Sequence, residues 1–348
     1  SATEFGPEGF LPMEPALKAS ILKEHNMTAV GGFVPVILHR ADHDPIPGVQ
    51  KELEGYVAAG AKTLVLAANS GITGYDEKLP VLTDAEWDIL FNNLNRIQAE
   101  AAKIGVKSVL HPHVGTMVET ADHVNRVLKG STIPFCLDTG HMMIGGTDIV
   151  AFSKDHADRV AHSHLKDVNN AMAAKVRSHE VTYYDGMLAG LYTPLGQGDA
   201  NIRTVVRNLI MAGYDGWFVL EQDNALSEEP AIGAGPFADA KASVEFLRQI
   251  WLGRTAHARA VRATALRHES GNHAVKLHTV VKAFASQFFD TGNMVWRQIR
   301  AKFNNNVAAV ERKGKRFIGH IYNPLGWGNV DGPLGYALRA CKAKIIAI

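Results

Sequence analysis

Short apolar runs rich in β-branched and aromatic residues alternate with amphipathic stretches along most of this chain, and this alternation restricts the fold more than any other feature. Seven runs are predicted to be strands: Ala2–Phe5, Thr28–Pro35, Thr63–Ala67, Ser108–His111, Pro134–Leu137, Val160–His164 and Trp217–Glu221. Strands that are apolar throughout and separated by helices are typical of a parallel sheet whose outer face is covered.

The stretches between the strands carry helix start and stop signals. Thr83-Asp84-Ala85-Glu86 is a capping box, apolar residues follow it at intervals of three or four, and Gly105 ends the pattern. Ile202–Ala212 with Gly213, and Ala238–Trp251, repeat this arrangement. We therefore predict βα units in series.

Seven strands do not close an eight-stranded barrel, but an eighth is predicted near the end of the chain. Arg316–Ile321 is predicted to be a strand, and a Gly/Pro-rich loop and a helix at Pro333–Ala343 follow it. The fold predicted is thus a circularly permuted (β/α)8 TIM barrel, with 1–251 holding strands two to eight and 316–348 the first βα unit. The first and last units of a closed barrel are neighbours, so permutation preserves the core. A different order of segments in the gene is the alternative.

The composition is that of a globular protein. The 348 residues include 36 basic and 35 acidic ones and are 46% hydrophobic, which suffices for one large core and argues against disorder or general nucleic-acid binding. Cys136 and Cys341 have no metal-binding spacing and are predicted to be free thiols. No apolar run approaches the roughly 20 residues of a membrane helix, and no signal pattern is found, so we predict a cytoplasmic protein. A mature chain that has lost a leader would look the same.

Residues 252–315 form a basic, helix-prone segment. Twelve lysines and arginines stand there against Glu269, Asp290 and Glu311, which leaves the barrel correspondingly acidic. We interpret it as a connector or a subunit contact of a homo-oligomer that docks on an acidic barrel. Nucleic-acid binding, aided by aromatic residues such as Trp296, is the less favoured alternative.

Several strands end in Asp, Glu or His. In a parallel barrel the carboxyl ends of the strands meet at one face, where catalytic side chains project. Asp138 and His164 are the leading candidates for metal ligands. Glu221 ends an apolar strand that would not tolerate an unpaired buried carboxylate, so it needs a cation. Residues two apart on a strand share a face, which pairs His111 with His113 and His162 with His164.

Five motifs together resemble the inosose dehydratase branch of the xylose isomerase-like sugar isomerase/epimerase superfamily. They are Thr3–Pro12, His111–Thr116, Asp138–His141, His162–Asp167 and Pro194–Asp199. The resemblance covers roughly Ser1–Trp251 plus Arg316–Ala343, and the motifs are specific as a set. In that family the first strand ordinarily opens the chain, so the order of segments departs from it here.

The resemblance implies a TIM barrel with a divalent metal at its C-terminal mouth, and as ligands Glu119, Asp138, His164 and Glu221. Three carboxylates and one imidazole favour Mn²⁺, Co²⁺ or Mg²⁺ over a thiolate-type zinc. Glu119 could equally belong to the polar opening of a helix. His141 resembles a position that contacts the substrate, and its alternative is a loop histidine bonded to backbone.

The remaining candidates surround these ligands. We expect burial to lower the pKa of Lys166 toward useful proton transfer, with a surface salt bridge to Asp167 as the alternative. The residues predicted to bind substrate or to orient ligands are His111, His113, His162, Glu4 and Trp327, of which Trp327 could instead be core. The long connection Val168–Leu195 is predicted to be a lid over a polyol, although it could be an extra surface helix.

These residues support three hypotheses. The first is metal-dependent dehydration of a keto-cyclitol such as 2-keto-myo-inositol through an enolate, with His141 and Lys166 moving protons. The second is sugar isomerisation or epimerisation, or β-elimination on keto-sugars, with the same site. A carboxylate usually ends strand five in the isomerase relatives, and His111-Pro112-His113 stands there instead, which favours the first. The third is a non-catalytic scaffold whose basic segment binds a partner or nucleic acid.

Overall fold

Strands and helices alternate through the described part of the chain, which a computed structural model gives as residues 2–6, 11–221, 223–226, 228, 230–231, 233–250 and 344–347. The strands are β1 Ala2–Thr3, β2 Thr28–Ala29, β3 Gly31–Val36, β4 Thr63–Ala68, β5 Lys107–Leu110, β6 Phe135–Asp138, β7 Val160–Leu165, β8 Asp167–Val168, β9 Tyr192–Thr193, β10 Trp217–Leu220 and β11 Lys344–Ala347. The helices are α1 Pro15–Glu24, α2 Ile46–Ala59, α3 Asp84–Lys103, α4 Ala121–Gly130, α5 Thr139–Ile144, α6 Ile149–Asp155, α7 Asn170–Arg177, α8 Tyr183–Leu188, α9 Ile202–Met211 and α10 236–250.

The strands form a parallel ring. Seven of them lie side by side in the order β11-β10-β7-β6-β5-β4-β3. β1 pairs in parallel with β2, which continues into β3 after Val30 alone, and β1 also lies beside β11. Eight strand positions are therefore filled in a circle, and the predicted TIM barrel is confirmed.

The eighth position is filled by a segment that we did not predict to be a strand. Lys344–Ala347 runs parallel to β10, with Phe218 opposite Ile345. The predicted strand Arg316–Ile321, the helix Pro333–Ala343 and the basic segment 252–315 lie outside the described residues. The C-terminal strand thus stands between β10 and β1.

Helix α3 shows how local signals anchor the outer layer. Thr83 and Glu86 form the predicted capping box, and Gly105 has a φ of +69° just beyond the helix, a conformation that glycine adopts without strain. Its apolar stripe is buried, including Trp87 and Leu94. Burying one such leucine is worth about 1.5–3 kcal/mol, so this face fixes the helix on the sheet.

The connection predicted as a lid has secondary structure of its own. Helices α7 and α8 stand between β8 and β9, which pair as an antiparallel ribbon. Val168, Val176, Tyr183 and Leu191 pack there with Val114 and Ile144 from the barrel in one apolar cluster. None of the helices described is long and apolar enough to cross a membrane.

Candidate metal centre and active site

Asp138 is the most constrained side chain of the site. It ends β6, is fully buried, and its Oδ1 accepts the backbone N–H groups of Gly140 and His141, both at 2.8 Å, at the start of α5. Its Oδ2 lies 3.1 Å from His111 Nε2 and 2.6 Å from Lys166 Nζ. Burial alone would raise the pKa of Asp138, but Lys166 and His141 hold it well below its ordinary value, so the carboxylate is charged.

His164 lies opposite Asp138 in the register of β6 and β7, which shifts between Phe135 and Cys136. Its Nδ1 is 3.0 Å from Glu221 Oε1 and 3.7 Å from Asp138 Oδ2. Nevertheless Nδ1 forms no hydrogen bond with any residue that the structure describes. A ring nitrogen directed between two carboxylates in this way is suited to share a cation with them.

These three side chains fit a divalent ion. One ligand atom from each of Asp138, His164 and Glu221 lies within 4.8 Å of the others, and all three groups are buried or half-buried. Two carboxylates and one imidazole suit Mn²⁺, Co²⁺, Mg²⁺ or Zn²⁺. The sequence prediction that these strand ends converge agrees with this geometry.

Glu119, the fourth predicted ligand, belongs to none of the metal-sized groups found among the described residues. Its carboxylate accepts the backbone N–H of Gly115 at 3.2 Å, and its pKa is raised by burial. It directly precedes Thr120, which caps helix α4. The alternative that we considered, a polar residue at the opening of a helix, describes this position well.

Lys166 is buried and paired with carboxylates. Its Nζ contacts Asp138 Oδ2 at 2.6 Å, Glu221 Oε2, and Asp223 Oδ2 at 3.4 Å. Burial lowers the pKa of Lys166, but the three carboxylates outweigh it and raise the pKa well above the ordinary value. Our prediction of a lowered pKa was therefore wrong. The predicted alternative partner, Asp167, instead accepts backbone N–H groups of the loop before α9.

Three histidines line the space beside Asp138. The rings of His113 and His141 lie 3.7 Å apart between centroids, and His111 lies 5.5 Å from His141. Burial lowers the pKa of His111 to about 4 against the pull of Asp138, and burial together with His141 lowers that of His113, so both rings are neutral near pH 7. His141 is buried, and neither of its ring nitrogens is hydrogen-bonded within the described chain.

Glu4 and His162 lie on the other side of His164. Glu4 is 4% exposed, and its Oε1 lies 2.5 Å from His162 Nε2 and 3.3 Å from His164 Nε2. We expected Glu4 at the mouth of the barrel, and the structure places it in contact with these two rings instead. Trp327, the other residue expected at the mouth, lies outside the described residues.

Sequence reasoning missed several residues of the site. Asp223 lies 3.6 Å from His141 Nε2, and its position two residues after Glu221 was the available signal. Tyr183 and Tyr192, from the predicted lid, join their hydroxyls at 2.8 Å above His141. Tyr183 also donates its backbone N–H to Asp76 at 2.5 Å, which ties the lid segment to the loop after β4.

Comparison with known proteins places this barrel in a family. The family model described as the xylose isomerase-like TIM barrel matches residues 22–250, about two thirds of the chain. The chain therefore belongs to the xylose isomerase-like TIM barrel family, as its motifs indicated.

Particular relatives are more distant. The chain is 35% identical over 199 residues to the inosose dehydratase of Geobacillus thermodenitrificans, a match covering 55% of this chain and 65% of that protein. It thus spans less than two thirds of that relative. The inosose dehydratase of Halalkalibacterium halodurans is 30% identical over 69% of this chain and 82% of its own length. In the structural comparison, an L-ribulose 3-epimerase matches with a TM-score of 0.53 at 14% identity, over 75% of this chain and 86% of its own, which shows the shared fold.

Proposed function

We propose that this protein is a divalent-metal-dependent carbon–oxygen lyase that dehydrates a keto-cyclitol such as 2-keto-myo-inositol. The observation that carries the proposal is the convergence of Asp138, His164 and Glu221 around one point, with His141 and Lys166 beside them. The relatives named inosose dehydratase support the substrate class. A cytoplasmic location and a homo-oligomer remain part of the proposal.

Asp138, His164 and Glu221 would hold the metal, and we propose Mn²⁺, Co²⁺ or Mg²⁺ for this oxygen-rich set. A bound divalent ion supplies Lewis acidity that stabilises negative charge on a ketone oxygen. We keep Glu119 as a candidate fourth ligand, which would have to exchange its hydrogen bond from Gly115 for the ion.

We assign proton abstraction to His141. A base must have an accessible lone pair within reach of the carbon next to the ketone. His141 fits because neither of its ring nitrogens is committed to a hydrogen bond within the described chain, and because it lies against His113 and near Asp223. Asp223 would stabilise the ring once it has taken the proton.

We assign protonation of the departing hydroxyl to Lys166. Its raised pKa means that it is an ammonium at neutral pH, which suits a donor better than a base. Its contacts with Asp138 and Glu221 place it at the edge of the proposed metal site. His141 and Lys166 would then divide the two proton transfers of a dehydration between them.

Substrate selection is assigned to the surrounding polar groups. His111 and His113 present neutral rings, and the hydroxyls of Tyr183 and Tyr192 can hydrogen-bond a polyol. The segment that carries both tyrosines covers the site and would exclude water. Direct substrate contacts of His162, Glu4 and Trp327 remain predictions.

The test is turnover of 2-keto-myo-inositol by the full chain, with the product measured by mass spectrometry and solvent-derived deuterium followed in D₂O. We expect loss of one water from the substrate, dependent on added Mn²⁺ or Co²⁺ and abolished by chelation. Deuterium uptake with no loss of water would instead assign an isomerase or epimerase. Full turnover in the presence of a chelator would remove the metal from the mechanism.

A further inference from the structure

The two nitrogens of the His164 ring face different partners. Nδ1 points toward Glu221 and Asp138, and Nε2 lies 3.3 Å from Glu4 Oε1. A neutral imidazole carries its proton on one nitrogen and can bind a cation only through the other. Which nitrogen keeps the proton is set by the hydrogen bond that it makes. The group facing Nε2 therefore decides whether Nδ1 is free.

That group is a carboxylate held rigidly in the barrel. Glu4 follows β1, and the backbone on either side of it is pinned, because Thr3 O accepts Val30 N–H and Phe5 N–H donates to Gly31 O. Its Oε1 also lies 2.5 Å from His162 Nε2. An ionised carboxylate oxygen has two lone pairs and accepts from both rings, whereas it donates to neither.

We propose that Glu4 is a positioning residue for the metal site. Glu4 accepts the Nε2–H of His164 and thereby leaves Nδ1 unprotonated toward Asp138 and Glu221. His162 keeps the same carboxylate oxygen aligned from the other side. This inference rests on the proposed function, because it assigns Glu4 a role in binding the proposed metal, and it replaces the substrate contact predicted from the sequence.

A second arrangement is possible in the same place. Glu4, His162 and His164 are themselves close enough together to hold an ion. In that case Glu4 would be a ligand of an additional metal and not a positioning residue. The two arrangements differ in the number of ions bound per chain and in the nitrogen of His164 that is metallated.

The experiment compares the wild-type full chain with Glu4→Gln, which keeps the shape of the side chain and removes its charge. Glu54→Gln, on the exposed side of α2, is the matched control. Calorimetric titration with MnCl₂ should show that affinity falls about 10–100-fold in Glu4→Gln with the number of sites unchanged. Glu54→Gln should match the wild type. Turnover that Glu4→Gln loses at limiting Mn²⁺ should return at saturating Mn²⁺, which a substrate-contacting residue would not allow.

A measurement on the wild type alone covers the case in which Glu4→Gln does not fold. In ¹⁵N-histidine NMR with diamagnetic Zn²⁺ as the probe, we expect His164 to keep its proton on Nε2 and bind through Nδ1. Metallation of Nε2, a second ion that Glu4→Gln loses, or unchanged Mn²⁺ affinity in Glu4→Gln would each overturn the inference and leave the proposed function standing. A wild-type chain that binds neither Mn²⁺ nor Zn²⁺ would overturn both.

Discussion

Lys166→Met removes a buried ammonium that balances the charges of Asp138, Glu221 and Asp223. We expect this variant to be less stable than the wild type in a chelator and to gain more stability from Mn²⁺. The reason is that Lys166 and the metal neutralise the same carboxylates. Without the lysine these acids repel one another until an ion binds, and the ion then meets no competitor.

The size of the effect follows from the burial. Removing one partner of a buried ion pair costs about 3–5 kcal/mol, because the other charge is left uncompensated. We expect the lower end, since Asp138 keeps two backbone N–H groups and His111. At roughly 2–4 °C per kcal/mol for a domain of this size, the melting temperature should fall by about 6–12 °C. Mn²⁺ at 100 times its Kd adds about 2.7 kcal/mol, enough to recover most of this loss.

Thermal unfolding with EDTA and with Mn²⁺ measures both terms, with Lys175→Met as the control. Lys175 forms an exposed ion pair with Glu180 at 3.4 Å, and such pairs contribute at most about 1 kcal/mol. Turnover should be lost in Lys166→Met and retained in Lys175→Met. Equal melting of Lys166→Met and wild type in EDTA, or equal stabilisation by Mn²⁺, would refute the reasoning.

Three further predictions concern the site, its packing and the basic segment. Asp138→Asn and Glu221→Gln should each lose Mn²⁺ binding and turnover while the circular dichroism spectrum stays that of a folded barrel; wild-type turnover in either would show that the ligands are misassigned. Gly140→Ala should destabilise the protein by about 1–3 kcal/mol in denaturant unfolding, because the added Cβ would lie 2.8 Å from Lys166 Cβ; unchanged stability would mean that this contact relaxes. Replacing 252–315 by a flexible linker should leave metal binding and turnover intact, and a folded variant without turnover would show that the segment completes the site.

The barrel was predictable because each βα unit carries its own local signals. The strand predictions differ from the structure by one or two residues at most ends, and Thr28–Pro35 is divided at Val30 into β2 and β3. Lys344–Ala347 was missed, because four residues at the end of a chain carry too little periodicity to indicate a strand. Its pairing with β10 depends on the closure of the ring, which only the assembled sheet determines.

The site was predictable to the extent that it follows from strand ends. Asp138, His164 and Glu221 converge because the carboxyl ends of parallel strands meet at one face. The environment of Lys166 was not predictable, because the sequence indicated its burial but not the three carboxylates around it, and they reverse the direction of its pKa shift. The contact of Glu4 with His164 joins residues 160 positions apart, and no local pattern specifies it.

The most direct test of the metal site is anomalous diffraction from crystals of the full chain grown with Mn²⁺. We predict one peak per barrel, bonded to carboxylate oxygens of Asp138 and Glu221 and to Nδ1 of His164. A peak bonded to Glu4 and His162 instead, or no peak within bonding distance of Asp138, would contradict the metal centre on which the proposed dehydration depends.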